Sequence, residues 1–230
     1  DVCETAIDNG LGVDNPMLAH SAIPADIDSD GDLDLLMGAS PFRPSMARVY
    51  RNDSKPGEIR FTNITEEAGL AFLTQIDKLP PPFDTGNLDP KRGYPLTPKM
   101  HTGAAVDIDN DGDVDWVTSN RTPFRRSELE IPMMVFVNDG KGHFKLLPAE
   151  EHGLVTTSRD LSCGDFNNDG RMDLVTVSGN GGRHGDYYHN QNLVFLNQTQ
   201  NRNHYIEIDV TSKENRLGIG TKITILKAGT

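Results

Sequence analysis

Three nine-residue stretches of this chain share one pattern: Asp26 to Asp34 (DIDSDGDLD), Asp107 to Asp115 (DIDNDGDVD) and Asp165 to Asp173 (DFNNDGRMD). Oxygen-bearing side chains stand at positions 1, 3, 5 and 9 of each, and Gly31, Gly112 and Gly170 hold position 6. A tightly turning loop brings alternate side chains to one centre, and glycine permits the sharp bend. That arrangement suits calcium, which takes roughly six to eight oxygen ligands. An isolated acidic run is ordinarily a solvated surface; glycine in register in three copies is what favours metal.

The pattern predicts three calcium sites. Their residues are Asp26, Asp28, Asp30, Asp32 and Asp34 in the first, and Asp107, Asp109, Asp111, Asp113 and Asp115 in the second. Asp165, Asn167, Asp169, Arg171 and Asp173 make the third. Position 7 is Asp32, Asp113 or Arg171, and arginine is compatible with a cation there only if that position contributes its backbone carbonyl. The bidentate grip is assigned to position 9. These are not EF-hands, which need a bidentate Glu at position 12 and flanking helices; position 12 is Met37, Thr118 and Thr176. The flanks are short β-branched or apolar runs such as Ala22–Ala25, Leu33–Met37 and Met172–Val177, which read as strands. Each loop is therefore expected to connect two strands of a hairpin.

The charge balance follows from these loops. The chain has 34 acidic and 22 basic residues, a formal net charge of −12, and the loops hold 13 of the Asp. Three divalent ions would halve that net charge. The acidity argues against a nucleic-acid partner and against an anionic membrane surface, and no apolar run approaches the roughly 20 residues of a membrane span. Loops of this kind, without the position-12 Glu, are expected to bind calcium in the micromolar-to-millimolar range, which matches an extracellular medium. The chain starts at Asp1 without Met or a leader, so it is expected to be a processed product or an excised piece. Cys3 and Cys163 allow at most one bridge; Cys163, on an inner strand, reads as a buried thiol, with pairing left open. N-x-S/T sequons occur at Asn52, Asn63, Asn120 and Asn197, and exposed turns are expected at Asn52, Asn120 and Asn197.

Self-similarity extends past the loops. Each is followed by a strand with a common ending, Val49–Asp53, Val135–Asp139 and Val194–Gln198, and then by an aromatic strand at Phe61–Ile64, Phe144–Leu147 and Tyr205–Ile208. Glu66–Leu70 matches Glu150–Leu154. The unit is thus four strands with the acidic loop between the first two, repeated at the spacing of propeller blades. The expected fold is all-β: a propeller-like array of four-stranded blades, itself expected to be part of a larger propeller. Loop spacing is uneven, 81 residues and then 58. The proline-rich stretch between Leu70 and Met100 and the stretch Gly179–Gln191 are read as irregular excursions. Trp116 is expected in the core between blades.

Together the DxDxDGxxD loops, the endings VYRND and VFVNDG, and the element FTNITEEAGL resemble the FG-GAP/VCBS repeats of calcium-binding β-propellers. The segments Asn203–Ile208 (NHYIEI) and Asn215–Ile223 (NRLGIGTKI) resemble the opening of the ASPIC/UnbV domain, which follows such propellers in the cartilage acidic protein family. The resemblance spans nearly the whole chain except the excursions. It implies propeller blades over residues 1–202, beginning with the end of another blade, and an incomplete ASPIC/UnbV-like start over 203–230. It also implies a secreted or surface-exposed, adhesive or matrix-type role with no established chemistry. Three blades do not ordinarily close a ring, so further blades are expected elsewhere.

No nucleophile elbow, zinc-protease helix or phosphate-binding loop is present. The expected function is a non-enzymatic extracellular calcium-binding module whose partner is a protein, a glycan or another copy of itself. Two alternatives stay open. His20 and His101 stand at equivalent places in their repeats, six residues before the first loop Asp, with Arg159 in that place in the third; on inner strands they would line a channel, as repeat packing or as the site of a propeller enzyme. His184, Tyr187, Tyr188 and His189 form a second cluster, either a polar loop over the channel mouth or the ligand loop of a lectin.

Overall fold

The computed structural model describes residues 19–39, 47–71, 100–120, 133–154, 158–177 and 192–200, with the single positions 203, 205, 206, 208, 210, 211, 221 and 223. These residues form three antiparallel sheets in chain order. The first comprises β1 (Ala19–Ala25), β2 (Asp34–Ala39), β3 (Arg48–Asn52) and β4 (Phe61–Asn63). The second comprises β5 (Met100–Val106), β6 (Asp115–Asn120), β7 (Met134–Asn138) and β8 (Phe144–Leu147). The third has three strands among the described residues, β9 (Asp160–Gly164), β10 (Asp173–Val177) and β11 (Leu193–Phe195). Every strand pairs with its sequence neighbour, so each sheet is a simple meander. Among the described residues no helix is long and apolar enough to cross a membrane.

Each acidic loop closes the first hairpin of its sheet in the same register, with Ala25 opposite Asp34, Val106 opposite Asp115 and Gly164 opposite Asp173. The edge strands β1, β5 and β9 stand side by side, and the sheets pack face against face outward from them. Between the first two sheets Ile27, Leu36 and Val49 meet Trp116, Met134 and Phe136. The Trp116 and Phe136 rings lie 5.4 Å apart at 34°. Trp116 is fully buried, as its repeat position predicted. Between the second and third sheets Val106, Val117 and Val135 meet Leu161 and Leu174. β6 is buried at all six of its positions, so the second sheet, lying between the other two, is covered on both faces. The sheets approach so closely that a Cβ at Gly38 would lie 2.6 Å from the Met100 carbonyl oxygen; only glycine fits there. The element after β4 is a wide helical turn over Glu66–Leu70, with the Leu70 N–H donating to the Thr65 carbonyl at 3.0 Å, and it buries Ala68 and Leu70.

Two sequence expectations are corrected. Tyr205, Ile206 and Ile208 belong to no strand and are exposed. The Tyr205 ring lies instead against Gly170 of the third loop, in the seat that the missing side chain leaves. Nor do the sequons share an exposed setting: Asn120 is fully buried at the end of β6, Asn52 ends β3, and the Asn197 amide is committed to two carbonyls. Asn63 is the exposed one. Cys163 is a half-buried free thiol, and burial pushes its pKa up. Cys3, both excursions, and the cluster His184, Tyr187, Tyr188 and His189 lie outside the described residues.

Candidate metal centres

The three acidic loops fold by the same hydrogen bonds. The position-1 carboxylate accepts the N–H of the position-6 glycine: Gly31 to Asp26 at 3.1 Å, Gly112 to Asp107 at 3.0 Å and Gly170 to Asp165 at 2.8 Å. The position-5 carboxylate accepts the N–H of position 7, at 3.0 Å from Asp32 to Asp30, from Asp113 to Asp111 and from Arg171 to Asp169. Short Asp side chains satisfying their own backbone in this way are what lets so few residues turn so sharply. Glycine at position 6 takes φ of 93°, 103° and 82° in the three loops. Position 4 is left-handed too, at 62° for Ser29, 60° for Asn110 and 57° for Asn168. The sequence reading missed this second bend, although Asn at two of the three positions, a residue that tolerates the left-handed region, was its signal.

Position 9 has a structural task. Asp34, Asp115 and Asp173 are buried, and both oxygens of each accept backbone amides. One takes the position-2 N–H, from Ile27 at 3.1 Å, Ile108 at 2.9 Å and Phe166 at 2.9 Å. The other takes an N–H at the end of the sheet's third strand, from Asn52 at 2.7 Å and Asn138 at 2.8 Å, or two residues past it, from Asn197 at 2.8 Å. The carboxylate thus staples loop to sheet, and a cation sharing it would draw on the remaining lone pairs. Burial pushes Asp34 up to about 6 and Asp115 up to about 7, although those amides pull the other way.

In the first two loops the carboxylates converge. Oxygens of Asp26, Asp28 and Asp34 lie within 4.8 Å of one another, as do those of Asp107, Asp109 and Asp111. Asp26 Oδ1, Asp28 Oδ1 and Asp32 Oδ1 are buried and accept no protein hydrogen bond. Buried carboxylate oxygens are costly without a partner, and oxygen-only sets of this kind match a hard divalent cation. Desolvation, then the neighbouring carboxylates Asp111 and Asp107, hold Asp109 above its ordinary range; desolvation likewise raises Asp107 and Asp113. Asp113 sits against Gly140 of the β7–β8 turn, where a Cβ has no room.

The third loop carries its own cation. Arg171 Nη2 lies 2.6 Å from Asp169 Oδ2, and its Nε donates to the Asn197 carbonyl at 2.9 Å. Asn167 also donates to Asp169 Oδ2, at 2.9 Å. Desolvation opposes, but the Arg171 backbone N–H, Asn167 and the Arg171 charge together hold Asp169 below its ordinary range.

The repeat-equivalent residues of the edge strands meet. The His20 and His101 rings are 4.4 Å apart, and His101 Nδ1 lies 3.1 Å from the Arg159 carbonyl oxygen. Beside them Thr102 Oγ1 donates to Asp160 Oδ1 at 2.7 Å and contacts Ser119 Oγ at 3.0 Å.

Residues 107–176 match an FG-GAP-like repeat. The matched segment begins on the first Asp of the second loop and ends in β10, so it holds two of the three acidic loops and most of the sheet between them. No curated protein matches the chain.

Proposed function

We propose that this chain is a calcium-stabilised array of propeller-type blades that acts outside the cell as a binding or assembly module and carries out no reaction of its own. The observation that carries the reading is the pair of buried Oδ1 atoms of Asp26 and Asp28, which no described donor reaches, on carboxylates that converge with Asp34. An all-oxygen donor set without thiolate or imidazole suits calcium rather than zinc or copper. Asp26, Asp28, Asp30 and Asp34 would hold the ion in the first loop, with Asp107, Asp109, Asp111 and Asp115 in the second. Asp165, Asn167, Asp169 and Asp173 would do so in the third, and position 7 would contribute its carbonyl. Bound calcium supplies the charge that lets these acids stay ionised while packed together. The loop hydrogen bonds, the position-9 staple and the FG-GAP-like repeat support the same reading. A net charge of −12 supports a protein or glycan partner over nucleic acid.

The test is a calorimetric calcium titration of the chelated protein, alone and with Asp28→Asn and Asp109→Asn. Saturable binding that each substitution reduces by one site supports the proposal; absence of calcium binding sinks it.

A second reading rests on the meeting of His20, His101 and Arg159, which places imidazoles and a guanidinium-bearing residue at one edge of the array. That edge would serve an anionic ligand, as the channel of a propeller enzyme would. Its test is ligand or partner binding by the His20→Ala, His101→Ala variant. Loss of that binding with calcium binding intact would favour it over the purely structural role.

A further inference from the structure

One continuous run of hydrogen bonds joins the three acidic loops. In the first loop Asp34 Oδ2 accepts the Ile27 N–H at 3.1 Å. The Ile27 carbonyl accepts the side-chain amide of Asn138, in the second sheet, at 2.8 Å. Asn138 in turn donates its backbone N–H to Asp115 of the second loop at 2.8 Å. The other Asp115 oxygen accepts the Ile108 N–H at 2.9 Å, and the Ile108 carbonyl accepts the Asn197 side-chain amide at 2.7 Å. Asn197 donates its backbone N–H to Asp173 of the third loop at 2.8 Å. In this run a single asparagine carries each step from one loop to the next.

The run enters each loop among the residues assigned to the ion. Ile27 stands between Asp26 and Asp28, and Ile108 between Asp107 and Asp109. The Asn138 amide clasps the peptide that leads into Asp28, while Asp34 clasps the peptide that follows Asp26. The first step is shielded from water: Asn138 is 3% exposed, and Ile27, Asp34 and Asp115 no more than 1%. Buried hydrogen bonds of this kind act as a unit, so a shift of the backbone at Asp28 moves the Asn138 amide and the N–H that aims Asp115.

Two effects compete when neighbouring loops are both filled. Neutralising one acidic loop weakens the field that draws a cation to the next, which opposes the second ion and is screened by salt. Ordering acts in the other direction and is not removed by salt. With Asp28 and Asp34 fixed by a ligand, Asn138 and Asp115 are already held, so the second loop loses less conformational freedom on binding.

We propose that Asn138 is a positioning residue that makes the first and second loops bind calcium cooperatively, and that Asn197 does the same for the second and third. The inference rests on the calcium reading above and names how its sites are coupled.

The test is calcium titration calorimetry at about 1 M salt, where the Debye length is roughly 3 Å. The unmodified chain, Asp28→Asn, Asp109→Asn and the double variant close a cycle. Overall binding constants of the unmodified chain and the double variant, multiplied together and divided by those of the two single variants, give the coupling factor. A factor of about five or more is expected. Asn138→Ala should bring it to one, whereas Asn197→Ala should leave it in place; a general loosening of the fold would lower it in both. Should Asn138→Ala fail to fold, Asn197→Ala at the half-buried second step is read on the second and third loops, with Asp109→Asn and Asp165→Asn closing that cycle, and should bring their factor to one. A factor of one or less in the unmodified chain overturns the proposal, as does a factor that survives removal of the linking asparagine. Absence of any calcium binding overturns the calcium reading together with this one, and binding without coupling overturns this one alone.

Discussion

Asn138 of the second sheet donates its side-chain amide to the carbonyl oxygen of Ile27, 111 positions earlier in the chain, at 2.8 Å. The same amide reaches the Val114 carbonyl at 3.0 Å, and its backbone N–H reaches Asp115 at 2.8 Å. One buried side chain therefore joins a loop, a strand end and the neighbouring sheet. Removing it leaves two carbonyls without their donor.

Asn138→Ala is expected to lower unfolding free energy by about 2–4 kcal/mol, the cost of leaving buried acceptors unsatisfied. Asn197→Ala, at a half-buried site, should cost less, and Asn52→Ala no more than roughly 1 kcal/mol. Denaturant unfolding at saturating calcium checks the order. An Asn52 effect equal to that of Asn138 would contradict it.

Calcium removal is expected to lower the melting temperature, since the loops hold five, five and three aspartates close together. Screening softens that repulsion, so the drop should be larger at low ionic strength than at high. Scanning calorimetry with and without chelator at two salt concentrations measures both. Superimposable curves would rule out a structural role for the ion.

Arg171 occupies the third loop with a positive charge paired to Asp169 at 2.6 Å, so this site should bind calcium most weakly of the three. Arg171→Asp copies the residue of the other two loops and should strengthen the site by about tenfold or more, by removing a like charge from beside the ion. Titration calorimetry distinguishes the outcomes. Tightest binding at the third site in the unmodified protein would refute the ranking.

Gly103→Ala should destabilise the protein by about 1–3 kcal/mol, because no rotamer relieves backbone crowding. Its Cβ would lie 2.6 Å from the Val117 carbonyl oxygen and 2.8 Å from Trp116 Nε1. Gly57→Ala, whose Cβ meets nothing within 4 Å, should cost less and act only through its φ of 86°. Thermal denaturation of the pair separates crowding from conformational strain.

The division between chain and fold is clearest at three places. The loops were legible because their chemistry is local: nine residues with alternating oxygens and a glycine specify their own turn whatever surrounds them, and the structure places each between two strands of a hairpin. Strand content was legible for the same reason, since period-two burial is written along a few residues at a time. His20, His101 and Arg159 could be aligned by counting back from each loop, but their meeting at 4.4 Å and 3.1 Å required the edge strands of separate sheets to stand together. The position-9 carboxylate shows what the pattern hides: as residue types, Asp34, Asp115 and Asp173 look like further cation ligands, and the folded chain gives both their oxygens to backbone amides seven and about twenty positions away. Likewise the Asn at each third-strand end was visible as a repeat mark, while its task as an inter-sheet clasp was not. The sequence by itself determined the loops, the strands and their repetition, because these depend on neighbours along the chain. Which side chains clasp and which carboxylates staple were decided only by tertiary packing, because those partners lie on other strands or in other sheets and no local pattern encodes a hydrogen bond across 111 residues.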